Sequence, residues 1–161
     1  GNVKETQFEL RQKFEHAEYA GGWQTGSQPV LSMAPIEGSL KMFAEAGIDN
    51  IREKSLSQTA YLMYLIEEKL AKYGFRIGNP AADNMMRGGH GALEHDDAIR
   101  INAALKAEGV IPDFRYPDVI RLAPIALYTS YKDIYDMVER IIDIMENKKY
   151  ENFENKTGTV A

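Results

Sequence analysis

Apolar positions fall into two kinds of pattern along the chain, and the change between them outlines the fold. Leu31, Ala34, Leu40, Phe43 and Ala44 keep helical spacing behind Pro29, a residue suited to a helix start, and Gly47 reads as the stop. Asp49 then reads as an N-cap, with Glu53 close by at the positive helix end. Ile51, Leu56, Leu62, Leu65, Ile66 and Leu70 continue as one stripe to Tyr73, with Gly74 as the C′ residue. This predicts a long helix of roughly 24 residues, enough to span a domain. Beyond it the period shortens. FRIGNP (75–80) reads as a strand, residues 81–86 as a loop, and 88–94 as a second strand whose glycines mark a close approach to the backbone. A third helix starts at Asp96 or Asp97, runs to Ala107 with Ile99, Ile101, Ala104 and Leu105 inward, and stops at Gly109. Residues 110–114 and 119–124 read as two further strands. Ser130 caps a last helix whose apolar face is Ile134, Met137, Val138, Ile141, Ile142 and Met145.

The predicted order is a loop, two helices, then β-loop-β-α-β-β-α, an α+β arrangement with a short, mostly antiparallel sheet and helices on one face. Residues 1–29 carry Gly21, Gly22, Gly26 and Pro29 and read as loop, with FELRQKF (8–14) as a short strand or turn. Three segments result: a loop segment over 1–29, a domain with its connecting helices over 30–147, and a polar tail over 148–161 that is expected to fray.

Composition narrows the function without naming it. With 44% hydrophobic and 27% charged residues the chain can build a core and is not a disordered one. No apolar run reaches the roughly 20 residues of a membrane span, and no secretory signal is visible. A formal net charge of −5 with dispersed charges argues against binding a nucleic-acid backbone. The absence of cysteine removes disulfides, thiolate metal sites and a cysteine nucleophile, and fits a reducing, cytoplasmic setting. Gly1 in place of Met reads as a tag remnant or as the continuation of a longer chain.

Few residues are candidates for chemistry. His90 and His95 lie five apart near Glu94, Asp96 and Asp97. A metal site is one reading, but odd spacing along a strand sends the two side chains to opposite faces, so solvated or capping roles are preferred. Arg121 stands out within the apolar run VIRLAP. A guanidinium there needs an anion, and its planar fork suits a carboxylate. The alternatives are a structural ion pair and the open face of an edge strand. GGWQTGSQP (21–29) places Gly26 and Ser27 ahead of a helix, where backbone N–H groups and a hydroxyl can meet a phosphate, or merely cap the helix; it is not a Walker A loop. Arg87-Gly88-Gly89 reads as a turn rather than an anion site, and no lysine occupies the desolvated setting that lowers an amine pKa.

Several phrases together resemble the kynureninase family: GVIPDFRYPDVIRLAPIALYTSYKDIYDMVERI (109–141), GGWQTGSQPVLSMAP (21–35), LKMFAEAGIDNIREKSLSQTAYLMYLIE (40–67) and RGGHGALEH (87–95). Gly1-Asn2 is similar to the end of that family's Gly-Trp-x-Gly phrase. The resemblance implies the small C-terminal domain of a pyridoxal-phosphate (PLP) enzyme of the aspartate-aminotransferase fold. Such enzymes act as homodimers on L-kynurenine or 3-hydroxykynurenine, releasing anthranilate or 3-hydroxyanthranilate and L-alanine in tryptophan catabolism. It further implies that Arg121 binds the substrate α-carboxylate and that Gly26 leaves room for the substrate ring. Ser27, where the family has Asn or Thr, would touch the PLP phosphate of the neighbouring subunit. His90 receives no role. The cofactor-binding lysine, the aspartate facing the pyridine nitrogen and the stacking aromatic would lie outside this segment, which alone would be inactive. Another PLP enzyme of the same fold (a class V aminotransferase or a desulfurase) and a free-standing α+β binding module are the alternatives.

Overall fold

The computed structural model describes residues 3–6, 8–80 and 83–155. Gly1-Asn2, the first two residues of the loop expected at 81–86, and the end of the tail (156–161) lie outside the described residues. The chain divides into two compact units, 1–46 and 47–161.

Unit 1–46 holds short 3₁₀ turns at Lys4–Thr6 and Tyr19–Trp23, and helix α1 over Val30–Ala46. The strand-or-turn segment 8–14 contains turns and bends and no strand. Gly22 has a local reason: a Cβ there would stand 2.5 Å from the Ala17 carbonyl oxygen. Helix α1 appears where its spacing predicts it, but none of its residues is buried. Its apolar positions, Leu31 among them at 90% exposure, face solvent within this unit.

Unit 47–161 is the α+β domain. Gly47, at φ +78°, turns the chain and serves as N-cap of helix α2 (Ile48–Leu65), while Asp49 sits in the first turn. The helical path continues through a π-helical turn at Ile66–Leu70 and a 3₁₀ turn at Ala71–Tyr73. It ends at Gly74 in the left-handed region, as the C′ position requires. The strands are β1 (Arg76–Ile77), β2 (Gly91–Glu94), β3 (Asp113–Arg115) and β4 (Val119–Leu122), in the sheet order β1-β2-β4-β3, and every pairing is antiparallel. Helix α3 spans Ala98–Ala107 and helix α4 spans Tyr131–Glu146. The third strand starts later than residue 110 because the Val110 N–H bonds back to the Leu105 carbonyl and closes α3 instead.

Alternation along β2 and β4 sends Leu93, Ile120 and Leu122 to the helices, where they join Leu62, Ile66, Leu105, Val138, Ile141 and others in one core. At Gly91 helix α2 comes close: a Cβ there would meet Leu62 at 3.1 Å. Two polar residues the apolar stripe skipped are fully buried on α2. Gln58 Nε2 donates to the Thr129 carbonyl at 2.6 Å, and Thr59 Oγ1 donates to the Ser55 carbonyl at 2.8 Å. The beginning of the polar tail does not fray as expected. Lys149–Asn152 form a 3₁₀ turn, with Tyr150 and Phe153 packed against the core. Among the described residues no helix is long and apolar enough to cross a membrane.

Candidate functional site

Arg121 lies on β4, which has β2 on one side and β3 on the other, so it is not on an edge strand. Its neighbours Ile120 and Leu122 take the core face, and alternation turns Arg121 to the opposite one. There it is half-buried, its side chain 39% exposed. Antiparallel register sets Asp113 of β3 directly across from it. Asp113 Oδ2 touches Arg121 Nη2 and lies 2.8 Å from Arg115 Nη2. That oxygen is shielded from solvent, yet neither contact has hydrogen-bond alignment. One carboxylate therefore stands between two guanidinium groups, held by charge rather than by a fork-to-fork fit.

Arg121 and Asp113 also line a cavity of about 260 Å³, whose other walls include Leu122, Pro124, Ile134 and Met137. Apolar walls around a cation lower the local dielectric and strengthen its attraction for an anion. The cavity borders the start of α4, where Ser130 and Asp133 form a capping box. The Ser130 N–H and hydroxyl donate to Asp133 Oδ2 at 2.8 and 2.7 Å, and the Asp133 N–H donates to Ser130 Oγ at 3.1 Å. The Ser130 N–H, followed by its hydroxyl, holds the Asp133 carboxyl below the usual 3.8. Asp133 is thus an ionised, committed acceptor and not a proton donor to the cavity near neutral pH.

Among the described residues the lysines whose titration is shifted all move upward. Lys69 is raised above its usual value by Glu139 and then Tyr135, Lys72 by Tyr73, and Lys149 by Asp143 and then Glu108. A Schiff-base lysine needs the opposite shift, and among the described residues no lysine is buried.

Gly26 and Ser27 belong to the other unit, in a bend ahead of α1. Nothing lies within 4 Å of where a Gly26 Cβ would stand, and Gln24 Nε2 donates to the Gly26 carbonyl at 2.7 Å. Ser27 is exposed. An open backbone with an accessible hydroxyl fits contact with a phosphate or a ring brought from outside the loop.

His90 and His95 flank β2, one at each end. His90 precedes β2, its carbonyl accepting from Asn79 Nδ2 at 3.2 Å. His95 follows β2 and is buried against the Phe75 ring. The Asp97 N–H donates to His95 Nδ1 at 2.9 Å, so His95 Nε2–H is the side that donates to the Tyr73 carbonyl at 3.0 Å. This capping role is taken by His95 in place of the Asp97 side chain, which makes no cap bond. Among the described residues no group of three potential ligands is placed to hold a metal ion. Arg87 is more than a turn residue: it is buried and donates Nη2 to the Leu56 carbonyl at 3.1 Å, tying its segment to α2.

The residue that sequence reasoning missed is Asp113. Its signal was present, because a short Tyr116–Asp118 connection between DFR and VIRL pairs Asp113 with Arg121 once the hairpin register is written out.

Comparison with known proteins identifies the family. The family model described as kynureninase C-terminal domain matches residues 51–141. The chain is 51% identical over 161 residues to a kynureninase of Geobacillus thermodenitrificans, covering 100% of this chain and 37% of that protein. It is 51% identical over 158 residues to a kynureninase of Bacillus mycoides, covering 98% and 37%. With a kynureninase of Shouchella clausii it shares 47% identity over 158 residues, covering 98% and 36%. The chain thus spans a little over a third of the length of these curated relatives.

Proposed function

The chain belongs to the kynureninase family, and on that premise we propose that it supplies the carboxylate-binding wall of a PLP enzyme that hydrolyses L-kynurenine or 3-hydroxykynurenine. The products are anthranilate or 3-hydroxyanthranilate and L-alanine, a step of tryptophan degradation. The observation that carries this reading is Arg121, a cation on an inner strand that opens into an apolar-walled cavity. A kynurenine carries an α-carboxylate for the guanidinium and an apolar ring for the walls.

The bound cofactor supplies the electron withdrawal at Cα that makes the chemistry accessible. The chain's own residues bind and orient. Arg121 takes the α-carboxylate with up to two parallel N–H donors, which fixes the rotation of the amino acid about its Cα. Ser27 offers a hydroxyl to the phosphate of a neighbouring subunit's cofactor, and Gly26 leaves space for the substrate ring, so the working form is a homodimer. No side chain of the described cavity moves a proton. The 161-residue chain alone is accordingly inactive.

The test uses the full-length parent protein, L-kynurenine and anthranilate fluorescence, with Arg121→Ala alongside. Anthranilate from the parent and a severe loss in the variant support the reading. A PLP-coloured protein that leaves kynurenine untouched moves the assignment to another enzyme of the same fold. Full activity in Arg121→Ala removes Arg121 from the site.

A further inference from the structure

We propose that Asp113 is a positioning residue: it holds the Arg121 guanidinium at the cavity by standing between Arg121 and Arg115. The proposal rests on the reading of Arg121 as the carboxylate receptor. Three observations on Asp113 carry it. It pairs with Arg121 in the β3–β4 register. Its Oδ2 touches both guanidiniums while being shielded from solvent. It lines the same cavity as Arg121.

Charge decides what such an arrangement does. One carboxylate between two guanidiniums leaves a net single positive charge, which matches one substrate carboxylate. Without Asp113, the two cations face each other across the hairpin with nothing between them, and like charges at short range repel. Either guanidinium relieves that repulsion by swinging away, and for Arg121 this means leaving the cavity it lines. The contacts of Asp113 are not aligned hydrogen bonds, so the guanidinium keeps its fork for an incoming carboxylate. A second, purely electrostatic role would point the other way. Asp113 would then only repel the substrate anion, and its removal would tighten binding.

The two roles give opposite signs, so KM separates them. In the full-length enzyme, Asp113→Asn is expected to raise KM for L-kynurenine roughly three- to tenfold, the size of a partly exposed ion pair, with kcat within about twofold. The stabilisation of the protein against heat by added L-kynurenine should shrink in parallel, which reads binding without turnover. In an Arg121→Ala background the Asp113→Asn change should add nothing to KM, because Asp113 acts through Arg121. Asp113→Ser, which removes the charge without the amide, is judged by the same criteria if the Asn variant does not fold. An unchanged or lowered KM overturns the role of Asp113 while leaving Arg121 in place. A further KM rise on top of Arg121→Ala overturns it too. If Arg121→Ala itself leaves KM unchanged, the receptor reading fails and the role of Asp113 falls with it.

Discussion

Helix α1 and helix α4 are both rich in apolar residues, yet they end up in opposite situations. In unit 47–161, α4 buries Ile134, Val138, Ile141 and Ile144 in a core shared with α2, α3 and the sheet. In unit 1–46, α1 buries nothing, and Trp23 ahead of it is 89% exposed. The difference lies partly in the patterns themselves. The apolar residues of α4 repeat on one face and its charges on the other, whereas α1 carries Val30, Leu31, Met33, Ile36, Leu40, Met42 and Phe43 around much of its girth. A helix that is apolar on several sides is suited to being covered on several sides, and unit 1–46 has too little chain to do so. Helix periodicity therefore reports that a face is apolar; it does not report what covers it.

The sharpest way to break this comparison is to truncate one leucine-sized side chain in each region. Ile120→Ala removes a fully buried residue and should cost about 2–5 kcal/mol in urea unfolding of the 161-residue chain. Leu31→Ala, on the exposed helix, should change stability by no more than about 0.5 kcal/mol. Equal losses at the two positions would mean that α1 is covered in solution.

Next in size is the site. Arg121→Ala in the full-length enzyme should lower kcat/KM for L-kynurenine about ten- to a hundredfold, as expected for losing charge-assisted hydrogen bonds worth roughly 1.5–3 kcal/mol. Steady-state kinetics with anthranilate fluorescence measures it.

A serine precedes a helix in each unit, and the pair extends the comparison. Ser130→Ala removes the hydroxyl arm of a capping box, leaving the backbone N–H on Asp133, and should cost about 1 kcal/mol in urea unfolding. Ser27→Ala should leave stability within roughly 0.5 kcal/mol, because Ser27 is exposed and its proposed partner is a phosphate, not the helix. A loss at Ser27 as large as at Ser130 would make it a structural cap.

The smallest effect is a pH dependence confined to unit 47–161. Ser130 holds the Asp133 carboxyl below 3.8 in the folded protein. The unfolded chain therefore binds the proton more readily, and the contribution of this group is complete above about pH 4 and lost as pH falls through the lower folded value. Glu139, lowered first by Lys69, and Asp143, lowered first by Lys149, act with the same sign. Urea unfolding followed from pH 6 to pH 2 should show a shallower acid limb for Asp133→Asn than for the parent. Identical limbs would remove the capping carboxylate from the acid response.

Much of unit 47–161 was legible in the sequence because its signals are local. Gly74 and Gly109 mark the ends of their helices, and both adopt the positive φ that glycine tolerates. Ser130 with Asp133 three residues later announces the start of α4. The α+β order follows from the change in apolar period. Buried polar residues were not legible: Gln58 and Thr59 sit on the inner face of α2, and nothing in the local pattern shows that Gln58 Nε2 will meet a carbonyl 71 residues away. His95 likewise takes over helix capping from Asp97 only because the chain folds Tyr73 against it.

Arg121 shows where the boundary lies. The sequence by itself determined that an arginine inside an apolar strand needs an anion, since the cost of an unpaired cation among apolar neighbours belongs to the residue and its run. Which anion it meets inside the chain was also within reach, since Asp113 lies across one short hairpin. What only tertiary structure decided is the cavity, where the start of α4 comes to lie beside that hairpin. That contact depends on segments that come together only on folding, so no local window of sequence contains it.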